Sequence, residues 1–174
     1  MLSTDQKGNI AEAAVALSAA KLGFDVYRPI TEGGRYDLII DSGERLLRVQ
    51  CKWAPLQGET VLLRCYTSRR NCDGIVRRPY GTGEVDAYAA YCSDLDRCYF
   101  VPFDAFAGRV QVMLRLSPTR NNQHLGVNWA RDFEFEAKLG GSGAVAQLGE
   151  RRHGMAEARG SIPLGSTLRD GAAR

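Results

Sequence analysis

Arg35-Tyr36-Asp37-Leu38-Ile39-Ile40, followed after a short charged turn by Arg48-Val49-Gln50-Cys51-Lys52, is the stretch that decides the fold. The first run puts an acid at the mouth of an apolar strand. The second puts Gln-x-Lys on the next one. Between them, Asp41-Ser42-Gly43-Glu44 is short and rich in turn formers, so the two strands form a hairpin and lie side by side. Side chains alternate faces along a strand. Gln50 and Lys52 therefore share one face, and Val49 and Cys51 point into the core. Asp37, Gln50 and Lys52 then converge on one spot. A carboxylate, an amide oxygen and an ammonium gathered there suit a divalent cation and a water facing a phosphate.

Working outward, residues 4–22 read as a helix capped by Ser3 or Thr4, with Ile10, Ala14, Leu17 and Leu22 as its apolar face and Gly23 as its stop. Glu12 lies inside it, and taken alone is an ordinary surface glutamate. Residues 24–28 read as a first strand. Strands follow over 36–41, 45–53 and 60–66. Residues 68–83 are polar, Arg-rich and punctuated by glycine, and read as a long loop. Residues 86–91 fit helix or strand by pattern alone. Asp104 to Ala107 reads as one helical turn. Residues 110–116 alternate as a strand, with Val110, Val112 and Leu114 on one side. A polar loop over 118–123 and a weak final element over 129–135 complete the body. The fold class is α/β or α+β: a helix, then a mostly antiparallel or mixed sheet. No Gly-rich phosphate loop is present, so no nucleotide cofactor is expected.

The ordered set of helix Glu12, strand Asp37 and Gln50-Cys51-Lys52 resembles the PD-(D/E)xK nuclease superfamily. It departs twice: Tyr36 stands where Pro usually precedes the acid, and Gln50 where Asp or Glu is usual. The longer similarity is to the branch of group I intron-encoded homing endonucleases and their bacterial relatives. It rests on Lys7-Gly8-Asn9-Ile10-Ala11-Glu12-Ala13-Ala14, Arg35-Tyr36-Asp37, Val49-Gln50-Cys51-Lys52, Glu84-Val85-Asp86-Ala87-Tyr88, Tyr99-Phe100-Val101-Pro102 and Pro118-Thr119-Arg120-Asn121-Asn122-Gln123, and covers residues 5–135. The resemblance implies a restriction-endonuclease-like core, with a mixed central sheet flanked by helices. It implies that residues 86–91 form a strand running by hairpin into 97–102. It implies a Mg²⁺ site, with Mn²⁺ as a substitute, made by Asp37, Glu12, Gln50 and the backbone carbonyl of Cys51. Lys52 would orient or deprotonate the attacking water.

Bulk properties agree with one soluble domain. The 174 residues carry 44% hydrophobic and 25% charged residues, without an apolar run that could span a membrane. The first six residues lack a basic and apolar leader, which argues against secretion. Cysteines 51, 65, 72, 92 and 98 are odd in number and form no C-x-x-C pair, as expected of reduced thiols in a cytoplasm. With histidine only at 124 and 153, His-based nucleases and His-ligated zinc are disfavoured, and any metal must be held by oxygen. The net charge of +3 does not by itself indicate nucleic-acid binding. Arg64, Arg69, Arg70, Arg77 and Arg78 nevertheless cluster, with only Asp73 acidic among them. Candidate DNA contacts are Arg69, Arg70 and Asn71, then Arg120, Asn121, Asn122 and Gln123, since Asn and Gln can read adenine edges and Arg guanine or phosphate. Turn chemistry is the competing reading of Asn121-Asn122. Asp86 reads as the structural partner of an arginine, and Tyr36, Trp53 and Tyr88 as core or site walls.

The chain divides into a nuclease domain, 1–138, and a tail, 139–174, that opens with Gly140-Gly141-Ser142-Gly143 and shows little apolar periodicity. The 25 codons of 143–167 can spell a tRNA gene with a GGC alanine anticodon: Gly160-Ser161-Ile162-Pro163 can be GGT-TCG-ATT-CCC, its T-arm. The tail then reads as translated from an adjacent tRNA-alanine gene, and disorder is expected of it. A DNA-binding extension using Arg151, Arg152 and Arg159 is the alternative. For the whole protein the expectation is a site-specific, metal-dependent endonuclease on double-stranded DNA, acting as a homodimer or homotetramer. A Holliday-junction resolvase and a catalytically decayed DNA-binding protein are the alternatives.

Overall fold

The computed structural model describes residues 1–31, 33–72, 74–118 and 125–140; the expected tail disorder and the 118–123 loop fall largely outside them. Helix α1, Thr4–Lys21, starts where Ser3 makes a capping box: its Oγ accepts from the Gln6 amide at 3.1 Å, and the Ser3 amide donates to Gln6 Oε1 at 2.8 Å. Gly23, at φ 87°, turns the chain out of the helix. Strands β1 (Asp25–Tyr27), β2 (Leu38–Asp41) and β3 (Leu46–Trp53) follow as an antiparallel meander. β8 (Ala87–Cys92) pairs parallel with β3, and β9 (Arg97–Pro102) returns antiparallel to β8. The central sheet is therefore mixed, in the order β1-β2-β3-β8-β9.

Among the described residues the crossover from β3 to β8 carries four further strands, and one more follows β9. β4 (Leu56–Gln57) and β5 (Thr60–Arg64) join β10 (Gln111–Arg115) in a three-stranded antiparallel sheet. β6 (Tyr66–Asn71) and β7 (Gly74–Pro79) form a two-stranded ribbon. Single 3-10 turns occupy Asp104–Phe106 and Ala130–Phe133, and helix α2 spans Phe135–Leu139.

Two cores form, one on each face of the central sheet. Val15 and Ala19 of α1 and Phe135 and Leu139 of α2 pack on Leu38, Ile40, Val49, Cys51 and Ala89. On the opposite face Val61, Leu63, Val112 and Leu114 of the second sheet cover Tyr88, Ala90, Tyr99 and Val101. Both helices thus flank one face, and strands cover the other. Val49 and Cys51 face the helices as the alternation requires, while Gln50 and Lys52 belong to the other side. Asp86 is the expected arginine partner: its carboxylate accepts from the Arg48 amide at 2.8 Å and from Arg48 Nε at 3.0 Å.

Three sequence expectations are corrected. The buried stripe of α1 is Ala11, Val15 and Ala19, with Ala14 and Leu22 beside it, whereas Ile10 and Leu17 are exposed at 38% and 57%. Small side chains let the helix axis approach the sheet closely, and the bulkier residues are left on the rim. Val110 is also exposed, because β10 begins one residue later. The stretch 68–83 is not a loop: its first part pairs in register from Tyr66↔Pro79 to Asn71↔Gly74. Gly74 at φ 127° closes that hairpin, a conformation few other residues adopt. Thr67, Ile75 and Val76 supply strand propensity that the arginines mask.

The corrected helix face has a measurable consequence. Val15→Ala removes two methyls from a closed core and should lower stability by about 1–3 kcal/mol. Leu17→Ala, on the exposed face, should stay within about 0.5 kcal/mol. Urea unfolding of the two variants distinguishes them. Equal losses would return Leu17 to the core.

Candidate active site

β2 begins at Leu38, opposite Val49, while β3 runs on to Trp53. Beyond Val49 the β2-side edge of β3 has no strand partner, and its next inward amide is that of Cys51. Asp37 fills that place. Its backbone amide donates to the Val49 carbonyl at 3.0 Å, and its Oδ2 accepts from the Cys51 amide at 2.8 Å. The Gln50 side-chain amide donates to the same carboxylate oxygen and lies 3.4 Å from the Cys51 carbonyl. Gln50 is the one buried polar or charged residue among those described, at 7% exposure.

Glu12, Asp37 and Gln50 line one cleft of about 620 Å³, together with Arg28, Tyr36 and Thr67. Glu12 enters from α1. Its Oε2 is 2.5 Å from an Arg28 guanidinium nitrogen, and Arg28 is itself 68% exposed. Burial is the main force on Asp37 and raises its pKa from the ordinary 3.8 to about 6. The Cys51 amide opposes the rise, the negative charge of Glu12 adds to it, and Lys52 and Gln50 oppose it. Lys52 is pushed the other way, since burial disfavours its ammonium, with Asp37 partly restoring it. Its Nζ donates to the Tyr80 hydroxyl at 3.0 Å and to the Tyr66 carbonyl at 3.3 Å.

Of the four expected site residues, three line the cleft and Lys52 does not. Glu12, Asp37 and Gln50 share the cleft, and Lys52 lies close enough for its charge to act on Asp37. Tyr36 is a cleft wall, Tyr88 is core, and Trp53 packs edge-on against Tyr91. Among the DNA-contact candidates, Asn71 is exposed at the ribbon tip and the backbones of Arg69 and Arg70 lie on β6; their side chains, and Arg120, Asn121, Asn122 and Gln123, are outside what is described. Sequence reasoning missed two participants. Arg28 and Tyr80 carry no local signature, and only the folded chain brings them to Glu12 and Lys52.

The donor set fits a hard divalent cation. Two carboxylates, an amide and a backbone carbonyl are all oxygen donors, as Mg²⁺ requires, and one or two carboxylates suffice for it. Among the described residues no group of three or more His, Cys, Asp or Glu could hold a metal, and the cleft brings two carboxylates together with the amide of Gln50. Arg28 already pairs with Glu12, so the negative charge of Glu12 is offset while that pair stands.

The family described as PD-(D/E)XK endonuclease matches residues 2–136. The chain belongs to that family, and is a nuclease by it. A solved structure described as that of a bacterial homing endonuclease, I-Ssp6803I, superposes with a TM-score of 0.63 at 25% sequence identity, over 91% of this chain and 100% of that one. No curated protein matches the sequence.

Burying the Asp37 charge should cost stability. Its folded pKa lies above the unfolded one, so the folded state holds the extra proton between pH 3.8 and about 6, and stability falls as pH rises through that window. Above it the penalty is complete, roughly 3 kcal/mol at most by the pKa difference. Asp37→Asn keeps an oxygen for the Cys51 amide and removes the charge. It should raise stability at pH 7.5 by about 1–3 kcal/mol, with the gain vanishing near pH 4. Chemical denaturation at the two pH values provides the test, and a pH-independent difference would remove the electrostatic account.

Proposed function

We propose that the protein is a metal-dependent endonuclease that hydrolyses phosphodiester bonds in double-stranded DNA, site-specific and of the homing kind. The supporting observation is the meeting of Glu12, Asp37 and Gln50 in one open cleft beside Lys52. The similarity to a homing endonuclease over nearly the whole chain adds the substrate class.

A bound Mg²⁺, or Mn²⁺ in its place, would supply Lewis-acid polarisation of the phosphate and a more acidic water. Asp37 and Glu12 would hold it through carboxylate oxygens, with the Cys51 carbonyl and Gln50 Oε1 completing the protein's share. Gln50 must turn its amide for this, since its nitrogen now faces Asp37. Glu12 must also release Arg28, whose exposed guanidinium is then free for the DNA backbone. Lys52 would orient or deprotonate the attacking water and offset charge building on the phosphate. The β6–β7 ribbon, which carries Arg69, Arg70, Asn71, Arg77 and Arg78, has the shape of elements that enter a major groove. Each chain supplies one centre, so cutting both strands calls for a homodimer or homotetramer.

Gln50 favours a second reading, a DNA-binding protein whose centre has decayed, because an amide there lowers the negative charge available to a cation.

The full-length protein should cut linear double-stranded DNA at discrete sites in the presence of Mg²⁺. Asp37→Ala and Lys52→Ala should each slow cleavage at least about a hundredfold while leaving DNA binding in place. Gel analysis against linear and four-way-junction substrates decides between the readings. Preferential junction cutting would point to a resolvase. Tight binding without cutting under Mg²⁺ or Mn²⁺ would establish the decayed binder.

A further inference from the structure

Lys52 lies on β3 two residues beyond Gln50, which lines the cleft, and a lysine's four-carbon stem leaves its amine free to roam unless something holds it. Here it is held. Nζ donates to the Tyr80 hydroxyl at 3.0 Å and to the Tyr66 carbonyl at 3.3 Å. These are the partners of Nζ among the described residues. An ammonium has three N–H donors, so one is left for a further acceptor such as a water or phosphate oxygen.

Tyr80 is itself fixed from several sides. It is 4% exposed, just past the end of β7. The Arg35 guanidinium lies over its ring, 4.3 Å from the centroid, and Tyr88 meets it edge-on at 5.4 Å. Arg35 is anchored in turn, donating to the Pro79 carbonyl at 2.8 Å and to Glu84 Oε2 at 2.7 Å. Glu84 also receives the Gly81 amide at 2.8 Å. The residues on either side of Tyr80 are therefore held by the same Arg35–Glu84 pair. A tyrosine immobilised this thoroughly, with its hydroxyl on the amine of the strand lysine, does more than fill a core.

We propose that Tyr80 is the positioning residue for Lys52: its hydroxyl fixes the amine, and the Arg35 stack fixes Tyr80. The inference rests on the nuclease reading for its effect on rate, though not for the placement of the amine. Tyr80 also stands where the ribbon joins the body, and the Tyr66 carbonyl stands at the ribbon's other foot. The arm that presents arginines to the solvent therefore also supplies both contacts of the lysine.

Tyr80→Phe in the full-length protein is the test. It keeps the ring, the Arg35 stack and the core contact, and removes one oxygen. The control is Tyr99→Phe, which deletes a buried hydroxyl that has no hydrogen-bond partner among the described residues. Tyr80→Phe should lower kcat about ten- to a hundredfold with KM unchanged, the scale of a misplaced catalytic group. Tyr99→Phe should cut as the wild type does. Placement is read separately by NMR of ¹³Cε-labelled lysine, which is tractable because the chain has only four lysines, at 7, 21, 52 and 138. In the wild type the Lys52 ε-methylene should show two inequivalent protons. In Tyr80→Phe they should collapse toward one averaged signal like those of free lysines. An unchanged Lys52 signal, or an unchanged kcat, overturns the proposal. A wild type that cuts nothing sinks the nuclease reading instead, and the NMR comparison then judges the hold on Lys52 alone.

Discussion

The structure turns on a carboxylate placed at a sheet edge where a strand stops early. β2 ends its pairing at Leu38 while β3 continues, and the exposed amide of Cys51 needs an acceptor. Asp37 provides one from the residue just before the strand. An acid at that position satisfies the backbone, as a further strand residue would, and also carries a charge to the mouth of a cleft. The desolvation it suffers is offset only in part by the Cys51 amide, Gln50 and Lys52. The site is thus built on a group that the fold tolerates at some cost, the usual position of catalytic groups.

The rest of the architecture serves that edge. β3 is central, pairs on both sides and is covered on both faces, so Gln50 and Lys52 project from a rigid platform. Alanines at 11, 19, 87 and 89 are fully buried on the α1 side, which permits the close approach of α1 that brings Glu12 toward Asp37. The parallel pairing of β3 with β8 demands a long crossover. That crossover supplies two strands of the second sheet and the whole ribbon. Arg35, two residues before Asp37, bridges to the ribbon's Pro79 carbonyl and lies 3.4 Å from Thr67 Oγ1, so one short segment organises the carboxylate and the arm together.

Much of this was legible in the sequence, and the reasons differ by element. The β2–β3 hairpin and the sharing of a face by Gln50 and Lys52 follow from period-two alternation and a strong turn, both local. Strand β8 is locally ambiguous, because Ala-Tyr-Ala-Ala-Tyr suits either state; the family resemblance resolved it correctly. The α1 face is not legible at Ile10 and Leu17, because bulk does not mark burial there: small side chains at 11, 15 and 19 let the helix sit close to the sheet. The ribbon was misread because glycine and arginine outweighed the β-branched residues between them. Glu12 was placed in the site by resemblance alone. The Arg28 pair with Glu12 and the Tyr80 contact with Lys52 span 16 and 28 residues, distances over which a single sequence carries no pattern.

The amide at position 50 shows how the site balances its two states. A glutamate there would set a second carboxylate against Asp37 at hydrogen-bond distance, with Glu12 as a third negative charge nearby. One acid of such a pair must stay protonated near neutral pH, as like charges forbid both from ionising. Gln50 avoids the conflict, since its NH₂ donates to Asp37 when no cation is between them and its oxygen is available when one is. An amide in place of a carboxylate also leaves the pocket one negative charge poorer, which would weaken its hold on a divalent ion under the proposed function. On the proposed metal-dependent reading, the cleft would gain a stable metal-free state at the expense of metal affinity, and Glu12, once released from Arg28, would be the carboxylate on which that affinity depends.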